Sequence, residues 1–138
     1  MKFPTWLKVY GDTTYRGRCP LEATEQITFF NQLRENYPKI GKIALHPRNE
    51  GKRRPRQALK EIMEGMSKGA PDIIIPGSPT FCCELKRQDH TKSAWTAGQL
   101  AWLEKAKDQG AYVCVALGYE AAWEALLEWM EMTKTESK

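Results

Sequence analysis

The chain has 138 residues, 41% of them hydrophobic and 28% charged, and 21 Lys and Arg against 17 Asp and Glu give it a formal charge of +4. That size fits one compact core rather than two, the balance excludes the disordered class, and the basic excess suits a polyanionic partner as well as a solvated surface. No apolar run approaches the roughly 20 residues of a membrane span, and the N-terminus lacks a signal-peptide layout, so a cytoplasmic protein with no membrane partner is expected.

Residues 1–19 are aromatic and basic without a period and read as an irregular N-terminal arm that ends at Cys19-Pro20. From residue 22 to 37, Ala23, Ile27, Phe30, Leu33 and Tyr37 recur at the spacing of one helix face, and Pro38 should stop that helix. Ile43-Ala44-Leu45 is a short strand candidate. Residues 47–55 form a polar loop in which Arg48, Lys52, Arg53 and Arg54 face one acid, Glu50. A second helix is expected over 56–67, with Leu59, Ile62, Met63 and Met66 on one side and Gly69 at its cap.

Residues 72–75 and 80–85 are β-rich runs joined by Pro76-Gly77-Ser78-Pro79, which predicts a hairpin. A helix over 97–109 places Gln99, Trp102, Leu103 and Ala106 on one face, and 111–117 is a fully apolar strand. The last helix, 120–132, presents Trp123, Leu126, Leu127 and Met130 to the core and precedes a polar tail, 133–138. This order predicts the α/β class: a small mixed sheet flanked by helices, made by residues 20–132. Cys19, Cys82, Cys83 and Cys114 form no CxxC pair, so buried reduced thiols are expected rather than zinc ligands or disulfides.

The hairpin carries the chemistry. Asp72 opens one strand and Glu84 lies near the end of the next, so antiparallel pairing brings both acids to one end of the sheet. Lys86, two residues beyond Glu84, points to the same face. Two carboxylates suit a divalent cation such as Mg²⁺, which prefers oxygen ligands, and an ammonium beside them can orient a water and offset charge in a phosphoryl transition state. A salt-bridge ladder at strand ends is the plainer alternative for Glu84 and Lys86. Gln99 is informative separately, because an amide on an apolar helix face must find polar partners.

Gly69-Ala70-Pro71-Asp72, Phe81-Cys82-Cys83-Glu84-Leu85-Lys86, Gln99 with Trp102-Leu103, and Gly110-Ala111-Tyr112-Val113 occur in this order. Together they resemble the VRR-NUC branch of the PD-(D/E)XK nucleases, in the stand-alone form common in bacteriophages. The resemblance spans about residues 22–126 and includes Asn49-Glu50-Gly51-Lys52-Arg53; the arm lies outside it. It implies a restriction-endonuclease-like core and a Mg²⁺ or Mn²⁺ ion held by a first-helix acid, Asp72, Glu84 and the Leu85 carbonyl, with Lys86 and Gln99 in the active site.

Two first-helix acids compete. At about 100° per residue, Glu22 falls within the arc of Gln26, Phe29, Phe30 and Leu33 and Glu25 outside it, so Glu22 is preferred as catalytic acid and metal ligand, with Glu25 the alternative. Arg48, Asn49, Lys52, Arg53 and Arg54 are expected to contact DNA phosphates. His46 reads as a structural strand-end residue, and His90 as an exposed loop residue. The expected function is metal-dependent endonucleolytic cleavage of DNA, on structured or branched substrates as Holliday-junction resolvases act. A homodimer is expected, joined through the last helix or the arm. The alternative from another class is a module that keeps the nuclease fold and binds DNA or a replication protein without cutting.

Overall fold

The computed structural model describes residues 1–47 and 54–133. Its centre is a four-stranded mixed sheet in the order β1-β4-β3-β2. The strands are β1 (Lys8–Tyr10), β2 (Ile73–Ile75), β3 (Phe81–Lys86) and β4 (Tyr112–Leu117); the helices are α1 (Glu22–Asn36), α2 (Pro38–Ile43), α3 (Pro55–Met63), α4 (Gln99–Asp108) and α5 (Tyr119–Thr133), with a 3₁₀ turn at His90–Lys92. β3 runs parallel to β4 and antiparallel to β2, as the hairpin predicted, and β1 runs parallel to β4.

Alternation along the two central strands sorts their residues between two cores. Phe81, Cys83 and Leu85, with Cys114 and Ala116, join Phe29, Leu33, Leu126 and Trp129 in the larger cluster, under α1 and α5. Cys82, Val113 and Val115 join Leu7 and Leu103 under α4. Each large apolar side chain so enclosed contributes roughly 1.5–3 kcal/mol. Glu84 and Lys86 share the parity of Cys82, so period-two geometry delivers them to the α4 side, near Gln99.

The structure corrects several expectations. The N-terminal segment is not only an irregular arm: Lys8–Tyr10 adds the edge strand β1, and Leu7 and Tyr10 are buried. Three residues are too few for alternation to register in the sequence. Pro38 does end α1, yet it then occupies the first turn of α2, where its missing N–H costs nothing. The strand expected at 43–45 is therefore reduced to a bridge from Leu45 to Ile74.

α3 is shorter than expected and buries none of its residues. Leu59, Ile62 and Met63 are 59%, 53% and 79% exposed, because an amphipathic period shows that a stripe exists and not what covers it. In α5, Leu127 is exposed and Trp129 takes the core position, its indole N–H donating to the Pro79 carbonyl at 2.8 Å. His90 is buried rather than exposed, since the N-terminal segment folds over it: His90 Nε2 donates to the Thr13 carbonyl at 3.0 Å and Phe3 packs edge-on against its ring. Cys82, Cys83 and Cys114 are buried free thiols, and Cys19 is a half-buried one. Among the described residues no helix is long and apolar enough to cross a membrane.

Candidate active site

Asp72 directly precedes β2, and the pairing of Ile73 with Cys83 sets it beside the end of β3. The Asp72 backbone N–H donates to Glu84 Oε1 at 3.2 Å, and the Leu85 N–H donates to Asp72 Oδ2 at 2.9 Å. Leu85 stands where the β2–β3 ladder would continue had β2 not begun at Ile73. In such a ladder a residue's N–H and C=O leave the strand on one side, so the Leu85 carbonyl lies on the edge that Asp72 borders. Gly69 lets the approach to Asp72 run against the start of α4: its φ is +88°, and a Cβ there would come within 2.4 Å of the Gly98 backbone.

Glu84 and Lys86 are each 2% exposed and form an ion pair at 3.2 Å. Gln99 ties them together. Its amide N–H donates to Glu84 Oε2 at 2.5 Å, while its oxygen accepts from Lys86 Nζ at 3.1 Å and from the Thr96 N–H at 2.9 Å. Those bonds are the partners that a glutamine on an apolar helix face needs. Lys86 Nζ also donates to the Ala94 carbonyl at 2.8 Å and lies 5.2 Å from the Trp95 ring centroid. The ammonium is thus fixed on several sides.

Glu22 accepts a hydrogen bond from Ser93 Oγ at 2.7 Å. It lines one cavity of about 810 Å³ with Asp72, Glu84, Lys86 and Gln99. Glu25 lies elsewhere. It is 6% exposed, inside the arc that the helical wheel had denied it, and accepts from Gln88 at 3.0 Å. Gly118, at φ +96°, makes room for it, since a Cβ there would come within 2.6 Å of Glu25 Oε2. The wheel therefore misjudged the buried side of α1, because Gln88 and Gly118 cover Glu25 from distant parts of the chain. Glu22 nonetheless faces the acids' cavity from the first turn.

Burial pushes the Asp72 carboxyl above its ordinary range against the pull of the Leu85 N–H, and the charge of Glu22 pushes the same way. Glu84 is pushed well above its range, first by burial and then by the charge of Asp72, with Lys86 opposing. Two enclosed acids that resist ionising together are a setting that a further cation would relieve. Among the described residues no three His, Cys, Asp or Glu side chains form a ready-made metal cage. The available donors are oxygens: the Asp72 and Glu84 carboxylates, the Leu85 carbonyl and Glu22 at the rim. That set fits a small hard cation such as Mg²⁺, which usually takes one or two carboxylates and fills its shell with water and phosphate.

Of the remaining expected site residues, Arg54 is exposed at the start of α3. Arg48, Asn49, Lys52 and Arg53 lie outside the described residues. His46 Nδ1 donates to the Asp72 carbonyl at 2.8 Å. Sequence reasoning missed the segment after β3. Ser93 meets Glu22, Ala94 and Trp95 hold Lys86, and the Trp95 indole N–H is anchored on the Lys2 carbonyl at 2.8 Å. No period or motif marks these residues. Lys68 and Lys92 also line the cavity.

No protein-family model matches the chain, and no curated protein matches it. Among solved structures, one described as a VRR_NUC domain protein aligns with a TM-score of 0.66 at 20% sequence identity, over 83% of this chain and 92% of the other. The chain thus has an α/β fold, a small mixed sheet with helices, that it shares with a VRR_NUC domain protein.

Proposed function

We propose that the protein is a Mg²⁺- or Mn²⁺-dependent nuclease of the PD-(D/E)XK type that hydrolyses DNA phosphodiester bonds, on structured or branched substrates. The observation that carries this reading is the convergence of Asp72, Glu84, Lys86 and Gln99, with Glu84 and Lys86 buried, in one cavity. Asp72, Glu84, the Leu85 carbonyl and Glu22 would hold the ion. Such an ion polarises the phosphate and acidifies a water. Lys86, immobilised by Ala94, Gln99 and Glu84, offsets charge that develops on the phosphate oxygens and orients the attacking water. Gln99 keeps that lysine and Glu84 in register, and its fixed bonds remove the need to reorganise during the reaction.

The test is cleavage of a four-way junction, a flap, a single strand and a linear duplex, side by side, with Mg²⁺, Mn²⁺ or EDTA. Metal-dependent cutting, strongest on a branched substrate, is expected. DNA binding without cutting under any of these conditions would transfer support to the non-catalytic binding module. A homodimer is part of the reading. The arm and the last helix, the first candidates for its contact, are engaged within the chain, whereas the stripe Leu59, Ile62 and Met63 offers apolar surface for it. Sedimentation velocity distinguishes one chain from two. Buried free thiols suit a reducing compartment such as the cytoplasm, or a host's cytoplasm for a phage protein.

Glu22→Gln should raise the Mg²⁺ concentration for half-maximal cleavage by about tenfold or more, the low end even of outer-shell losses. Glu25→Gln should leave that concentration unchanged, because its carboxylate serves Gln88. The reverse pattern would assign the ligand to Glu25. In the basic loop, replacing Lys52, Arg53 and Arg54 together should weaken binding to every DNA and lower the slope of log K against log salt by roughly 0.9 per lost contact on duplex. An unchanged slope would return the loop, with Arg48 and Asn49, to a solvated face.

A further inference from the structure

A groove lies along α4, beside the acid-lined cavity. It measures about 460 Å³, and Ser67, Lys68, Gly98, Trp102, Lys105 and Ala106 line it. Lys68 borders both the groove and the cavity, and Gly98 lies between Ala97 and Gln99 of the cavity wall. The two spaces therefore adjoin at Lys68.

Trp102 is half-buried at the margin of the smaller core. Its indole N–H donates to Ser67 Oγ at 2.9 Å. That bond uses the ring's one polar atom, so what Trp102 contributes to the groove wall is apolar ring surface. Lys105, three residues on along the same helix and therefore its neighbour, is exposed, as is Lys68. An aromatic surface that shares a groove with two ammonium groups has the chemistry that recognises an unpaired nucleic-acid strand, whose bases stack on the ring while phosphates meet the cations. A continuous duplex keeps its base faces stacked inside and has none to offer.

We propose that this groove is a binding subsite for an unpaired DNA strand next to the reacting phosphate, with Trp102 stacking a base and Lys68 and Lys105 contacting its phosphates. The inference rests on the nuclease reading of the adjoining cavity and deepens it: the substrate carries an unpaired arm.

The test measures binding in EDTA, by fluorescence anisotropy, of a labelled oligothymidylate and of a blunt duplex of equal length. Trp102→Ala should weaken the single strand about tenfold, within the range measured per stacked base, and change the duplex less than about twofold. Trp102→Phe, which retains a ring, should recover most of the loss. Lys105→Gln, at an exposed position that leaves the fold intact, should lower the salt slope on the single strand by roughly 0.7 and leave the duplex slope unchanged; it decides the matter even if Trp102→Ala fails to fold. Wild-type affinity for the single strand in a folded Trp102→Ala protein, equal losses on both DNAs, or an unchanged Lys105→Gln slope would overturn the proposal. So would self-association that disappears in Trp102→Ala while DNA binding persists, since the groove's occupant is then a second copy. Wild-type binding of duplex alone overturns the subsite and leaves the nuclease reading standing; binding of neither DNA removes both.

Discussion

Asp72→Asn is expected to lower cleavage about a thousandfold or more while raising the melting temperature of the metal-free protein at neutral pH. The activity loss follows from deleting a charged oxygen donor where the chain offers few, and about 4 kcal/mol of barrier corresponds to a factor of a thousand. The stability gain follows from the direction of the Asp72 shift. Burial raises its carboxyl above the ordinary value, so the folded state favours the protonated form. The resulting stability is complete below the unfolded-state value and is lost as pH rises through the raised one. An amide never ionises, and it can still accept the Leu85 N–H. The variant should therefore match the wild type in acid and exceed it above the carboxylate range, and removing its charge also relieves Glu84, which Asp72 pushes upward. Thermal melts in EDTA across pH, beside cleavage rates, check both halves. A variant less stable than wild type at neutral pH would make Asp72 a structural group.

Lys86→Met should show the opposite coupling, losing activity and stability together. Lys86 and Glu84 are a buried ion pair, and deleting one partner leaves the other enclosed without compensation, at a cost of about 3–5 kcal/mol. The Ala94 carbonyl and Gln99 oxygen also lose their donor. Cleavage should fall by about a hundredfold to a thousandfold, the range for removing a preorganised donor to transition-state charge, while Mg²⁺ still stabilises the variant, because the ammonium is not a ligand. Urea unfolding with and without Mg²⁺, and single-turnover rates, separate these effects. Near-wild-type turnover would deny the lysine its role.

What the sequence made legible is what short-range geometry determines. Ile73 to Lys86 is a hairpin with a two-residue parity, so local spacing alone joins Asp72, Glu84 and Lys86 at one end of the sheet, and the apolar face of α4 brings in Gln99. The failures have a common cause in contacts distant along the chain. Glu25 looked peripheral on a wheel drawn from α1, yet Gln88 and Gly118 enclose it. His90 looked exposed until Phe3 and Thr13 fold over it. Ala94 and Trp95 carry no period, and only the folded chain sets them against Lys86. α3 fails in the other direction: its apolar stripe is real, and among the described residues no element buries it.

The proposed chemistry requires a divalent cation at the cluster of Asp72, Glu84 and Lys86. Single-turnover cleavage of the preferred DNA across a Mg²⁺ titration, for the wild type, Asp72→Asn and Lys86→Met, tests that requirement directly. The wild type should be inactive in EDTA and rise to a saturating rate with Mg²⁺, while Asp72→Asn stays near background at every concentration and Lys86→Met saturates at a much lower plateau. Cleavage that persists in EDTA, or an Asp72→Asn protein that cuts like the wild type, would contradict it.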